Sequence, residues 1–366
     1  MKACRAVKIT DSVYWVGAID WDLRNFHGYS TGRGTTYNAY LVMADRIALV
    51  DTVKAPFIEE MLARIRSVVD PSKIDCIISN HAEMDHTGAL PRAVELIEPG
   101  SVYASKKGAE ALEAHFGLTD VEAVEDGGTI DLGSHTVTCL ETRLLHWPDS
   151  MVTHVSPDRV LFSQDGFGMH LASNERFDDE IDDYVLLHEA AKYYANILML
   201  YSHIVRKTLA KIEESGLPID VIAPDHGPVW RSKIPWILDL YNRWSARELR
   251  KKAVIVYDTM WDSTRMMARA IEDGLTEGGV HVKLFNATAT GRSDIMTEMI
   301  DAAALVVGSP TLNNHLFPTI ADVLVYLQGL RPTGLVGAAF GSYGWSGEGV
   351  RVIAGMLEDM KVELVG

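Results

Sequence analysis

From Ala253 onward the chain repeats a strand-then-helix beat, with apolar runs at 253–257, 281–285, 304–307 and 335–340, each followed by helical periodicity. Alternation of this kind implies a parallel sheet with helices on both faces. The preceding half is patterned differently, as strands punctuated by turns. Apolar runs at 46–51, 74–79 and 221–223 read as buried strands, and 152–155 and 160–162 flank the turn Ser156-Pro157-Asp158-Arg159 as a hairpin. A helical face runs from Pro56 through Met61, Leu62, Ile65 and Val69. A longer helical pattern, from about 182 to 214, ends at Gly216 with Pro218 beyond it. The change of pattern across the charged stretch 241–252 places a boundary near residue 250. The 366 residues then divide into an N-terminal domain, 1–250, and a C-terminal domain, 251–366.

Charge narrows the function. With 34 basic and 50 acidic residues the net charge is −16, which argues against nucleic acid as a partner. No stretch approaches the roughly 18 apolar residues of a membrane span. The first residues, MKACRAVKITDSVYW, lack the apolar core and cleavage site of a signal peptide, so the expected compartment is the cytoplasm. Cys4, Cys76 and Cys139 form no C-x-x-C pair and are expected to be buried, inert thiols.

The densest chemistry lies in Asn80-His81-Ala82-Glu83-Met84-Asp85-His86-Thr87-Gly88, where a buried strand ends. Its imidazoles and carboxylates suit a hard or borderline metal, and a strand-to-helix loop can turn several inward at once. The competing reading is a polar loop in which Asp85 caps the next helix and the histidines are exposed. His146, Asp165 and His226 each follow an apolar strand beside Gly or Pro, which points them toward one mouth at the strand ends. His27 and His170 are candidate hydrogen-bonding or proton-donating groups, and Tyr193 or Tyr194 candidate covers for the open face.

Together these residues resemble the metallo-β-lactamase fold, whose usual H-x-H-x-D-H loop has a second histidine where this chain has Glu83. With that substitution, and with the strings WDLRNFHGYSTGRGTTYNAYL, LLHWPDSM, ASNERFDDE and AKYYANIL, the whole chain is similar to the flavodiiron family (A-type flavoproteins). The resemblance implies that His81, Glu83 and His146 hold one iron, that Asp85, His86 and His226 hold the other, and that Asp165 bridges them. A carboxylate in place of an imidazole makes the site harder and more anionic, in keeping with iron rather than zinc.

In the second half, Thr259-Met260-Trp261-Asp262-Ser263-Thr264 forms a hydroxyl-bearing turn between the first strand and a helix N-terminus, a ready anion site. Neither G-x-G-x-x-G nor a Walker A sequence is present there, so a mononucleotide is favoured over NAD or a nucleoside triphosphate. Two later loops, Pro310-Thr311-Leu312-Asn313-Asn314 and Ser342-Tyr343-Gly344-Trp345-Ser346-Gly347, also follow strands. This half resembles flavodoxin, which implies FMN with its phosphate in the first loop and its ring against the other two, Trp345 stacking on the ring. The chain stops at 361–366, before the last helix of a five-stranded flavodoxin-like domain, through either a shortened chain or an unusual edge.

The expected fold class is therefore α/β, an N-terminal metallo-β-lactamase-like αββα sandwich followed by a doubly wound parallel sheet. The expected activity is reduction of dioxygen to water, of nitric oxide to nitrous oxide, or of both. Reduced FMN and two ferrous ions together hold the four electrons that dioxygen needs, and two suffice for a pair of nitric oxide molecules. The resemblance further implies a head-to-tail homodimer, or a dimer of such dimers, and a rubredoxin-like electron donor. The alternatives are an oxygen-reducing oxidase fed by a reduced deazaflavin coenzyme, a zinc hydrolase on the same fold, and a pure electron-transfer module in which the first domain is a scaffold.

Overall fold

The computed structural model describes residues 4–365; residues 1–3 and 366, the extreme ends of the two terminal stretches read above, lie outside it. Two compact units emerge. The first comprises residues 1–24, 31–190 and 204–239, and the second comprises 25–30, 191–203 and 240–366.

Two sheets build the first unit. One has seven strands in the spatial order Val7–Lys8, Val13–Trp15, Tyr40–Val42, Ile47–Val50, Ile74–Ser79, Ser101–Ser105 and Val121–Val124, antiparallel at first and parallel from Ile47–Val50 onward. The other has five: Thr129–Asp131, Thr136–Glu141, Met151–Ser156, Val160–Gln164 and Val221–Pro224, with only the last pair parallel. Because successive strand residues face opposite ways, one sheet can serve two cores. Tyr40, Val42, Ala48, Val50, Cys76 and Ile78 pack against Val137, Cys139, Met151, Val155 and Phe162 of the second sheet. Their neighbours Leu41, Leu49 and Ile77 pack instead against Met61, Leu62 and Ile65 of the helix Ile58–Arg66 and Leu90, Ala93 and Ile97 of the helix Leu90–Ile97. Cys76 and Cys139 are buried as expected, whereas Cys4 is half-buried; all three are free thiols.

Several helices of this half are stronger than its strand-rich pattern suggests. Lys106–Phe116 begins at Ser105, whose hydroxyl accepts from the Gly108 N–H at 3.0 Å, and ends at Gly117 in the left-handed conformation (φ +69°). Those are ordinary start and stop devices. The pattern from 182 to 214, by contrast, is not one helix. It runs as Asp183–Tyr193, a π turn at Tyr194–Leu198, a 3-10 turn at Met199–Tyr201, and the helix Ser202–Glu214. At the turn, Asn196 Nδ2 donates to the Ser293 carbonyl at 3.1 Å and Asn196 Oδ1 accepts from Tyr326 Oη at 2.7 Å, contacts that a regular helical period does not encode.

The second unit carries a parallel sheet in the order His281–Asn286, Arg250–Tyr257, Ala302–Gly308, Val336–Phe340 and Glu363–Leu364. By position in sequence this is 2-1-3-4-5, the flavodoxin-like winding. The short fifth strand pairs with Val336 and Gly337 at the edge, and no helix follows it among the described residues. The boundary stretch 241–252 spans the end of the helix Ile234–Ser245 and the start of the first strand of this sheet. No described helix is long and apolar enough to cross a membrane.

Candidate metal centre and flavin cleft

The metal-centre residues of the first unit are placed by strand ends and held by backbone hydrogen bonds. Where Ile74–Ser79 stops, Asp51 accepts from both the Asn80 N–H (2.7 Å) and its side-chain amide (2.8 Å), which turns the chain into the His81–His86 segment. The short helix Met84–Thr87 then presents Asp85 and His86. Its N-cap is Glu83, which makes no side-chain cap, and Asp85 and His86 are buried, so the competing picture of a capping loop with exposed histidines does not hold. Asp165 follows the strand Val160–Gln164, and His226 follows Val221–Pro224.

All seven predicted donors converge. His81, Glu83, His146 and Asp165 offer atoms within 4.8 Å of one another, and so do Asp85, His86 and His226. Asp165 divides its carboxylate between the two groups. Its Oδ2 lies 3.4 Å from His81 Nε2 and 3.1 Å from His146 Nε2, whereas its Oδ1 lies 3.4 Å from His86 Nε2 and 3.6 Å from His226 Nε2. Glu83 Oε2 stands 3.2 Å from both His81 and His146, and Asp85 Oδ2 stands 3.1 Å from His226 and 3.5 Å from His86. An ion about 2.1 Å from each donor would set neighbouring donors roughly 3.0–3.4 Å apart, so the spacing fits two ions with the carboxylate between them.

The electrostatics fit a cation as well. Burial works against a charged imidazole, yet hydrogen bonds with Asp149 and Glu83 and the charge of Asp165 outweigh it and hold His81 up at about 10. His146 is likewise held at about 9, against burial, by hydrogen bonds with Asp165 and Glu83. Both oxygens of Asp85 and both ring nitrogens of His86 are buried without a hydrogen bond of normal geometry. Buried polar atoms are rarely left so unless something else binds them. Metal uptake must displace the imidazole protons, so proton release should accompany it and apparent affinity should rise with pH up to about 9 to 10. Metal-binding titrations at stepped pH would show this, and an affinity flat from neutrality upward would contradict it.

Several supporting residues had no role in the sequence reading. Asp149 Oδ2 lies 3.0 Å from His81 Nδ1 and accepts from the Ala82 N–H at 2.6 Å, so it turns the other ring nitrogen toward the donor cluster. The Thr36 carbonyl does the same for His226, accepting from Nδ1 at 2.6 Å. Asp225 lies 3.6 Å from His86 Nδ1; full burial and the neighbouring Asp51 charge push its carboxyl well above the ordinary range. His170 is buried beside the cluster, its ring centroid 4.7 Å from that of His226, with Thr35 Oγ1 at 2.9 Å from His170 Nδ1 and 3.2 Å from His226 Nδ1. His27 and Tyr193 fall in the second compact unit. His27 stacks on Phe26 in the hairpin formed by Asn25–Phe26 and Tyr29–Ser30, and Tyr193 ends the helix Asp183–Tyr193.

In the second unit a cavity of about 370 Å³ opens at the strand ends. Met260, Trp261 and Ser263 line it from the first loop, Pro310 to Asn314 from the second, and Ser342 to Ser346 from the third. Thr259, Asp262, Thr264 and Gly347, also expected at the flavin site, do not line it; Thr264 is buried, with its Oγ1 3.0 Å from Ser342 Oγ. Trp345 and Trp261 stand at the rim 92% and 83% exposed, so their faces are open to a flat ligand. A hydroxyl-bearing helix N-terminus at Ser263 and aromatic faces above a cavity of this size fit a mononucleotide with a planar ring.

A metal-binding αββα sandwich joined in one chain to a flavodoxin-like domain defines a class of two-cofactor oxidoreductases. Comparison narrows the class. The description "ODP family beta lactamase" matches residues 35–227, and "Flavodoxin" matches residues 255–366. The chain is 46% identical to a nitric oxide reductase of Moorella thermoacetica, over 98% of this chain and 91% of that one. It is 43% identical to a rubredoxin-oxygen oxidoreductase of Megalodesulfovibrio gigas, with the same coverage. Among solved structures, the flavodiiron protein of Giardia intestinalis superposes with a TM-score of 0.94 at 35% identity, over 100% of this chain and 92% of that one. The chain belongs to the flavodiiron protein family.

Proposed function

We propose that this chain reduces dioxygen to water, nitric oxide to nitrous oxide, or both, at a di-iron site fed by FMN. The observation that carries the reading is Asp165, whose two oxygens face two separate donor clusters. His81, Glu83 and His146 would hold one ion and Asp85, His86 and His226 the other, with Asp165 shared. Iron bound there supplies one-electron redox chemistry at each centre, and FMN in the cleft supplies an electron pair. The protein's own part is to place and insulate. Asp149 and the Thr36 carbonyl fix two imidazole rings, and the buried donor set excludes bulk water. His170, tethered at Thr35, is a buried imidazole beside the donor set and is assigned the proton-handling role.

Glu83 and the fused flavodoxin-like domain favour this reading over a zinc hydrolase. The relative named rubredoxin-oxygen oxidoreductase supports a rubredoxin-like electron donor, with reduced deazaflavin coenzyme as the competing donor. A head-to-tail homodimer working in the cytoplasm completes the proposal, and the mass of the native assembly tests the pairing. For the activity, the reduced, iron- and FMN-loaded protein is mixed anaerobically with each gas in a single turnover. Consumption of at least one gas, with water or nitrous oxide as product, is expected; consumption of neither would refute the reading.

Asp262 offers a separate test of the flavin site. It is the N-cap of the helix Ser263–Glu277, in a left-handed conformation (φ +63°) that glycine adopts freely, and it places a negative charge within the proposed phosphate loop. Its ion pair with Arg265, at 3.2 Å, is exposed and contributes little. Asp262→Gly should therefore bind FMN severalfold more tightly by fluorescence-quenching titration; weaker binding would place the phosphate elsewhere.

A further inference from the structure

The strand Thr35–Tyr37 and the residue after it lie along the loop that carries His226. Thr36 takes the His226 ring N–H on its carbonyl and the Gly227 N–H on its hydroxyl, the latter at 2.7 Å. Asn38 grips the loop on both sides of His226. Its Nδ2 donates to the Pro224 carbonyl at 2.6 Å and to the Gly227 carbonyl at 3.0 Å, and its backbone N–H donates to the Asp225 carbonyl at 2.8 Å. The orientation of this amide is set from behind, because Trp15 Nε1 donates to Asn38 Oδ1 at 2.8 Å. With the oxygen held by the indole, only the amide nitrogen can face the two carbonyls. Asn38 is fully buried, so no solvent competes for these bonds. The loop has little room to slide, since Gly227 sits at φ +79° and a Cβ there would meet Met169 Cγ at 2.7 Å.

We infer that Asn38 is a positioning residue for the metal centre: through the three carbonyls around His226 it sets the direction of that imidazole toward Asp85 and Asp165. The inference rests on His226 being a metal ligand. Asn38 touches none of the donor atoms and acts only through the loop backbone. Its effect should therefore fall on the ion held by Asp85, His86 and His226 and spare the one held by His81, Glu83 and His146. Nothing in the sequence marks this residue, because its partners lie 186 and 189 positions away.

The test uses the full-length metal-free chain titrated anaerobically with cobalt(II), reading ions bound per chain and the visible absorption of each equivalent. Wild type should take up two ions. In Asn38→Asp a carboxylate replaces the donor facing two carbonyl oxygens, and the second ion should bind about 10- to 100-fold more weakly, with an altered spectrum, while the first is unchanged. Trp15→Phe removes only the N–H that orients the amide and should give a smaller loss at the same ion; it decides the matter if Asn38→Asp does not fold. Tyr326→Phe, which deletes a 2.7 Å hydrogen bond to Asn196 Oδ1 in the second unit and leaves the His226 loop untouched, should bind both ions as wild type does. Two ions bound by folded Asn38→Asp with wild-type affinity and spectra, or an equal loss of both ions, would overturn the inference. A wild-type chain that binds fewer than two ions overturns the metal-centre reading and this inference with it.

Discussion

Replacing Asp165 with alanine should lower the affinity for both metal ions together and reduce gas consumption by more than about 100-fold. Loss of a residue that merely orients a ligand costs about 10- to 100-fold in metal affinity or activity, and Asp165 is proposed as a direct ligand to both ions. Its two oxygens lie 3.1–3.6 Å from four imidazole nitrogens, two in each cluster, so its carboxylate reaches both. Truncation leaves those imidazoles without their shared carboxylate. Elemental analysis and gas uptake check the outcome, with bound FMN as the control. Retention of both ions at wild-type affinity would show that Asp165 does not bridge them.

The second large effect is expected in the other unit, at Gly341. A Cβ at this position would collide with the Ser309 carbonyl oxygen and would lie 3.0 Å from Val350 Cγ2. Gly341 is therefore what allows two cleft-forming loops to approach, and the Thr311 N–H bonds the Ser342 carbonyl at 2.8 Å just beyond it. Overpacking at such a contact costs about 1–3 kcal/mol, and here the strain is relieved by spreading the loops that form the cavity. Gly341→Ala should thus lose on the order of 10-fold or more in FMN affinity while binding metal normally. Flavin and metal contents of the same preparation separate the two effects. Full flavin occupancy at wild-type affinity would mean that the cleft tolerates the methyl group and that the close approach of the loops is not what holds the ring.

The parts of this molecule that were legible in the sequence are those encoded locally. The strand-then-helix beat from Ala253 depends on side chains a few positions apart, and the sheet follows it closely; the predicted run at 281–285, for example, lies within the strand His281–Asn286. The seven candidate donors were visible because they stand in unusually polar loops that follow strands, although His146 lies in the middle of the loop between Thr136–Glu141 and Met151–Ser156 rather than at a strand end. What escaped were residues of common type whose partners are distant. Asp149 meets Ala82 across 67 positions, and Asn38 meets Pro224 across 186. Both stand inside strings that carried the family resemblance, yet neither string reveals a hydrogen bond. The helix Lys106–Phe116 was missed although its Ser105 cap and terminal Gly117 were readable, because Gly108 weakens its periodic signal. The π turn at Tyr194–Leu198 was beyond reach for the opposite reason: the apolar spacing continues through it, while Asn196 answers to partners about a hundred positions away.

The proposed function depends on two ions sharing one carboxylate. Its most direct test is the Mössbauer spectrum of the chain reconstituted with isotopically enriched iron and frozen in the oxidised state. Two ferric ions per chain in nitrogen- and oxygen-rich environments, coupled to a diamagnetic ground state, are predicted. Magnetically isolated ferric iron, or a single ion per chain after saturation, would contradict it.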